Sequence, residues 1–362
     1  MAPLFESLQA GALALPNRIV MAALTRARAG RRHVPNELMA TYYAQRASAG
    51  LVLTEATMVS ADACAFTAEA GLYDDETAAG WRRVVDAVHA AGGRIAVQLW
   101  HPGRAAHSSL AGGVQPVSAT DRAIRDATIH TPTGPQPYEM PRRLHADEIP
   151  AYVEHFRQAA IRAQAVGFDA VEVHGAHGYL IDQFLRDGSN DRDDAWGGSL
   201  ANRARFLLAV VDAVSGVFGA DRVGVRISPL SDYNDMVDSD PPALVRHVAH
   251  ELDRRGLAFL DLRHVDQSAP AERELARIAR EAFRGALVLG GGFDPASANA
   301  AVAEGRADAI AFGYAYVGNP DLVERVRRGA PFNAVDAATL YTPGAKGYTD
   351  YPTLAETSVA LA

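Results

Sequence analysis

Gly285-Ala-Leu-Val-Leu-Gly-Gly-Gly-Phe-Asp-Pro295 holds one complete hand-over between chain elements. Gly285 follows a helical stretch and can take the left-handed conformation that stops helices. Ala286–Gly290 is a short apolar run with no polar alternation, as expected of a parallel strand covered on both faces. Three glycines then turn the chain. Asp294-Pro295 is a helix start, with a capping carboxylate and a proline where the N–H has no helical partner anyway.

The same unit recurs outward from here. Apolar runs at Arg18–Ala22, Leu51–Glu55, Arg94–Leu99, Ala170–His174, Val223–Ile227, Ala258–Leu262 and Asp308–Gly313 predict further strands. Segments with helical spacing separate them: Asn36–Ser48, Thr77–Ala91, Asp147–Val166, Leu200–Phe218, Pro242–Arg255, Ala271–Phe283, Pro295–Glu304 and Pro320–Arg328. Gly167, Gly256 and Gly305 repeat the stop, and Ser199 and Asn319-Pro320 repeat the start. Eight strand–helix pairs in strict alternation predict an α/β fold, a (β/α)8 TIM barrel, as one domain over 1–362. An open doubly wound sheet would want a glycine-rich turn after its first strand, and Met21-Ala-Ala-Leu-Thr-Arg26 is not one. Residues 1–16 are expected to form a hairpin capping the barrel bottom. Residues 101–146, rich in Pro, Gly, Ser and Thr, form a long insertion after strand three, a loop subdomain over the site. The tail from Pro331, with Tyr341, Tyr348 and Tyr351, is expected to fold back over the barrel.

Composition excludes several classes. The chain has 362 residues, 48% of them hydrophobic, and 35 basic against 43 acidic residues for a formal charge of −8. That balance argues against nucleic-acid binding. No apolar run is long enough for a membrane span and no secretory leader is read, so the expected location is cytoplasmic. A single cysteine, Cys64, excludes an internal disulfide; it lies beside no obvious base and is read as inert. Asp191, Asp193 and Asp194 lack the glycine and late glutamate of a calcium loop. The basic run Arg26, Arg28, Arg31, Arg32, His33 is read as a solvated loop, with attraction of nicotinamide-cofactor phosphates as its functional alternative.

Barrel sites form where strands hand over to the following loops. Reading those positions gives Leu24-Thr25-Arg26, Glu55-Ala56-Thr57, Gln98-Leu-Trp-His101, His174-Gly-Ala-His-Gly-Tyr179, Arg226, Gly290-Gly-Gly292 and Gly313-Tyr314. The glycine triplet can bring backbone N–H groups to a phosphate, or it is only a tight turn. His174 and His177 can be donors to a substrate oxygen, structural imidazoles, or zinc ligands with His101 as third. Tyr179 can give a proton to carbon, or simply start a helix. Arg226 needs an electron-rich partner, either a flavin edge or a barrel carboxylate such as Glu172.

These residues together resemble the old yellow enzyme family of FMN-dependent ene-reductases, on its N-ethylmaleimide reductase-like branch. The resemblance runs through Pro16-Asn-Arg-Ile-Val-Met21, Gln98-Leu-Trp-His-Pro-Gly-Arg104, His174-Gly-Ala-His-Gly-Tyr179, Asn190-Asp-Arg192, Gly197-Gly-Ser199, Arg226-Ile-Ser-Pro229, Asn319-Pro-Asp-Leu322 and Gly347-Tyr-Thr-Asp-Tyr-Pro352. It implies FMN at the strand ends, with Ala23, Leu24, Ala56 and Gln98 at the ring, Thr25 at the C4 carbonyl and Arg226 at the N1–C2 edge. Gly291, Gly292, Gly313 and Tyr314 would surround the phosphate. His174 and His177 would hold the substrate oxygen, Tyr179 would be the proton donor, and Trp100 and Tyr348 would line the substrate pocket. The implied reaction is reduction of enones, maleimides or nitro-compounds with NADPH or NADH as reductant, by a monomer or homodimer with no resident metal.

The chain departs from the family's pattern at three places. Tyr314 stands where the family usually has an arginine gripping the phosphate, which predicts weaker FMN retention unless another basic residue substitutes. Ala23 replaces a proline, and Trp196 a tyrosine. Two other readings stay open at this point: a barrel binding protein that holds flavin poorly, and a metal-dependent hydrolase using His101, His174 and His177.

Overall fold

The computed structural model describes residues 2–356. Eight strands close into a parallel barrel: β1 Ile19–Met21, β2 Leu51–Met58, β3 Ile95–Trp100, β4 Ala170–His174, β5 Val223–Ile227, β6 Phe259–Arg263, β7 Ala286–Gly290 and β8 Ala309–Phe312. The helices between and after them are α1 Glu37–Ala44, α2 Asp75–Ala90, α3 Ile149–Val166, α4 Leu200–Phe218, α5 Pro241–Arg254, α6 Pro270–Ala282, α7 Pro295–Ala303 and α8 Leu322–Arg328. Short helical turns at Leu180–Leu185 and Tyr314–Gly318 precede α4 and α8. Among the described residues no helix is long and apolar enough to cross a membrane.

Two of the expected helix starts follow the capping chemistry, whereas Asn319-Pro320 does not cap α8, which begins at Leu322 after an Asp321 that makes no side-chain cap bond. Asp294 caps α7 in a reciprocal box with Ser297, and Ser199 accepts from Asn202 at the head of α4. Strand β2 runs three residues past its predicted end, with a register shift between Leu53 and Ala56 against β3. Such an irregularity re-aims the side chains beyond it, here Ala56 and Thr57.

Alternation along each strand sorts the core. Val171 and Val173 point outward under the helices, while Ala170, Glu172 and His174 share the inward face. The bottom of the barrel is closed by a hairpin, Leu8–Ala10 paired with Leu13–Leu15, as expected. Its Ala10, Leu13 and Leu15 pack on the inward Leu51, Ala96, Ala170 and Ala286. The insertion after β3 carries its own hairpin, Thr128–Thr131 with Gly134–Pro137.

One expectation is corrected here. Arg26 and Arg28 do not lie in a solvated loop; they are 1% and 5% exposed. Arg26 donates to the carbonyls of Leu340 (3.1 Å) and Gly347 (2.7 Å), and Arg28 to that of Thr339 (2.7 Å). The two guanidiniums thereby clamp the returning tail onto the barrel. Arg31 and Arg32 remain exposed.

Candidate active site

Parallel register brings polar groups of neighbouring strands to one level. Gln98 lies opposite Glu172, His174 opposite Arg226, and Arg226 opposite Asp261. Gln98 donates to Glu172 at 2.5 Å. Arg226 reaches Asp261 at 2.7 Å and stands 3.9 Å from Glu172. Burial disfavours charge on Arg226, but Asp261 and Glu172 outweigh it and hold the guanidinium above its ordinary range. Burial pushes the Glu172 carboxyl up to about 8 against the pull of Arg226, so near neutral pH it largely keeps its proton.

Above this layer the turn after β4 displays three aromatic groups. His174 and His177 meet edge to face with ring centroids 5.5 Å apart, and His174 meets Tyr179 at 5.2 Å. The turn is tight: His177 sits at φ +57 and Gly178 at +69. Asn234 donates to the His177 carbonyl (2.8 Å), Ser228 accepts from its N–H (2.8 Å), and Asp182 accepts from the Gly178 N–H (2.8 Å). A non-glycine residue at positive φ persists only when its surroundings over-determine it, as these three bonds do. Burial, then the charges of Arg226 and Arg263, pushes His177 down to about 3. Burial, with His177 and Arg226, pushes His174 well below the ordinary range. Both rings are therefore neutral, each with one N–H to donate. Burial, reinforced by Tyr233 and Tyr138, raises Tyr179 far above an ordinary phenol, so it keeps its proton.

Of these three groups His177 lines a cavity of about 560 Å³ at the strand ends, with His174 packed behind it against both His177 and Tyr179. Ala23, Leu24, His177, Arg226, Gly290–Gly292, Gly313 and Tyr314 line it, as does Arg263. Gly291 stands at φ +104, and a Cβ there would lie 1.9 Å from the His264 carbonyl oxygen. Only a bare backbone fits. A flat, polar-edged group with an anionic tail suits this space: a guanidinium at one edge, a glycine cradle at the far side, and a partnerless buried Nη1 on Arg263. FMN has that shape and chemistry. A second cavity of about 550 Å³ adjoins it, lined by Phe66, Ile129, Tyr138 and Tyr179 and sharing Tyr233 and Tyr341 with the first.

Other anticipated residues fall into place unevenly. Thr25 is half-buried beside Leu24, and Ala56 is buried in a cluster with Trp100. Trp100 lines neither cavity; it is fully buried with its ring against Tyr179 at 5.2 Å and 88°. Tyr348 does not line the pocket either. It is fully buried, stacked on Tyr42 at 4.0 Å, with Arg28 4.6 Å above its ring. Tyr341, seven residues earlier in the clamped tail, faces both cavities instead. His101 does not join the other two histidines in a ligand set: its Nδ1 accepts from Gly103 (3.0 Å) and its ring packs on Tyr152. Cys64 is buried, but His33 Nε2 lies 4.0 Å from its sulfur and Glu69 is close by. The expectation of no neighbouring base is thus corrected. Burial raises the thiol, which donates to the Phe66 carbonyl (3.1 Å).

Asp261, Arg263 and Tyr233 escaped the sequence reading, and Tyr341 was read only as part of the returning tail, without a place at the site. A signal for the first two existed: Leu260-Asp-Leu-Arg263 places two charges two residues apart, on one face of an otherwise apolar strand.

Comparison with known proteins gives the family. Residues 3–333 match the NADH:flavin oxidoreductase / NADH oxidase family. A probable flavin mononucleotide-dependent alkene reductase of Leishmania infantum is 46% identical over 96% of this chain and 97% of its own. 12-Oxophytodienoate reductase 7 of Oryza sativa subsp. japonica is 45% identical over 98% and 95%. Among solved structures, morphinone reductase in complex with tetrahydroNAD superposes with a TM-score of 0.93 at 46% identity, covering 97% of each chain. The old yellow enzyme homologue from Zymomonas mobilis superposes at 0.94 and 41% identity, covering 97% and 99%.

Proposed function

The chain belongs to the NADH:flavin oxidoreductase / NADH oxidase family, the old yellow enzymes, and from that premise we propose how its own residues reduce an activated alkene. The reaction is the reduction of a C=C bond conjugated to an electron-withdrawing group. FMN supplies the hydride when bound, and a nicotinamide, NADPH or NADH, restores it.

Ala23, Leu24, Thr25, Ala56 and Gln98 are our assignment for the ring's contacts. Arg226 would face its N1–C2 edge and offset the negative charge that reduction would place there. His174 and His177 donate to the substrate's carbonyl or nitro oxygen. Two neutral donors aimed at a developing oxyanion can each contribute about 3 kcal/mol in a water-poor site. Tyr179 gives its proton to the α carbon while hydride arrives at the β carbon, so the alkene gains two hydrogens. Burial holds the phenol well above its ordinary range, which suits a donor that must stay loaded until hydride arrives. Trp100 holds the Tyr179 ring from behind, and Tyr341 and Tyr233 wall the space in front.

The observation that carries this reading is the His174–His177–Tyr179 ring cluster, in which His177 faces a glycine-cradled mouth and Tyr179 the cavity adjoining it. We read residues 1–362 as one domain, cytoplasmic, and a monomer or homodimer. Incubation with 2-cyclohexenone and NADPH or NADH, with product analysis, tests the proposal. Cyclohexanone is expected, in step with nicotinamide oxidation. Nicotinamide oxidation without saturated product under anaerobic conditions would refute it.

A further inference from the structure

Arg263 closes β6 and lies opposite Gly290 of β7. Its side chain lines the mouth beside Gly291, Gly292, Gly313 and Tyr314. Nη1 is buried and has no hydrogen-bond partner. Among the described residues Arg263 makes no ion pair, and the carboxylates around it are taken: Asp261 by Arg226 at 2.7 Å, Glu272 by His264 at 2.6 Å. A half-buried guanidinium in this condition lacks the anion that its planar fork is shaped to bind.

The backbone beside it points to the same missing group. A Cβ on Gly291 would lie 2.8 Å from Arg263 Nη1, so the guanidinium rests directly against bare backbone. Gly291 and Gly292 both have positive φ, which turns successive N–H groups into a concave anion site. In the same lining Tyr314 is 60% exposed and offers one hydroxyl where an arginine was expected.

We propose that Arg263 is the cation that holds the FMN phosphate in this chain, serving from β6 the role that Tyr314 after β8 cannot. The inference rests on the flavin reading of the mouth and adds the residue that discriminates FMN from flavins without a phosphate.

FMN and riboflavin differ by that phosphate, so their affinity ratio reads the assignment directly. The full-length protein, stripped of flavin, is titrated with each and followed by quenching of flavin fluorescence. Wild type is expected to prefer FMN by about 100-fold, a ratio that charge-assisted bonds to a phosphate can supply. Arg263→Gln is expected to lower the ratio about tenfold or more by weakening FMN alone, and Arg263→Lys to keep part of it. Inorganic phosphate is expected to displace FMN from wild type and leave riboflavin in place. Unchanged riboflavin affinity in the variants serves as the folding control. An unaltered ratio in Arg263→Gln overturns the assignment, as does equal loss of both flavins in both variants. Wild type that binds neither flavin would instead defeat the flavin reading, a distinct result.

Discussion

Arg226 holds Asp261 through both Nε and Nη2, each 2.7 Å from the same carboxylate oxygen, while the other oxygen, Oδ1, is buried without a partner. The guanidinium proposed to face the flavin's N1–C2 edge is thus partly neutralised from behind. Asp261→Asn removes that opposing charge and leaves the positive field of Arg226 to favour the anionic reduced flavin. The midpoint potential is expected to rise by on the order of 30 mV, which for two electrons corresponds to about 1.4 kcal/mol. An anaerobic titration against a reference dye checks it; an unchanged or lower potential would show that Asp261 does not set the charge there.

Tyr179→Phe keeps the ring that packs on Trp100 and removes the proton. Alkene reduction is expected to slow by about 10²-fold, in the range for loss of a general acid. Flavin reduction by the nicotinamide should be nearly unaffected, because no proton donor is needed there. Stopped-flow measurement of the two half-reactions separates them. Equal slowing of both would assign Tyr179 to binding instead.

The paired imidazoles make a prediction about pH. Because His177 keeps its proton off down to about pH 3, and His174 titrates far below its ordinary range as well, turnover should show no histidine limb between pH 5 and 8. Stability follows from the same shift. An unfolded chain protonates its histidines near 6.5, whereas folded His177 stays neutral, so between pH 6.5 and about 3 the unfolded state binds more protons and acid destabilises the fold. Glu172, raised to about 8, runs the other way over pH 4.5 to 8, because there the folded state holds the extra proton. Comparing urea midpoints of wild type and His177→Gln across pH 7 to 4 isolates the imidazole: the variant should lose less stability on acidification. A parallel loss in both would contradict the neutral-histidine assignment.

Arg26 secures the tail that carries Tyr341 to the mouth. Arg26→Ala leaves the Gly347 carbonyl without its donor and takes from the Leu340 carbonyl one of two, the other being Arg28 Nη1, at a cost of about 1–3 kcal/mol. A lower Tm together with a raised KM for alkene is expected. A lower Tm with KM unchanged would show that the tail's position does not matter to substrate.

The barrel was legible because its strands are mostly apolar runs of the right length, alternating with helices several of which carry their own start or stop chemistry. Position 174 was legible as an active-site candidate because a histidine at a strand end has few structural reasons to be there. The tail was not. Tyr341 and Tyr348 belong to one loop without periodicity, and which of them reaches the mouth depends on carbonyls gripped by Arg26 and Arg28, more than 300 residues away in sequence. Arg26 and Arg28 misled for the same reason: their partners are backbone oxygens, which leave no mark in composition. Asp261 and Arg263 were within reach, since charge on alternate residues of a buried strand demands a partner inside the barrel.

On this account nicotinamide and alkene act in turn on a flavin seated at the mouth that His177 lines, with His174 and Tyr179 in ring contact beside it. The most direct test is the visible spectrum of FMN-loaded protein under anaerobic conditions, first with NADPH or NADH and then with 2-cyclohexenone. The predicted result is full loss of the oxidised flavin bands on adding nicotinamide and their full return on adding enone, without oxygen. A flavin that is bleached but does not recover with the enone, or that the nicotinamide leaves unchanged, would contradict the account.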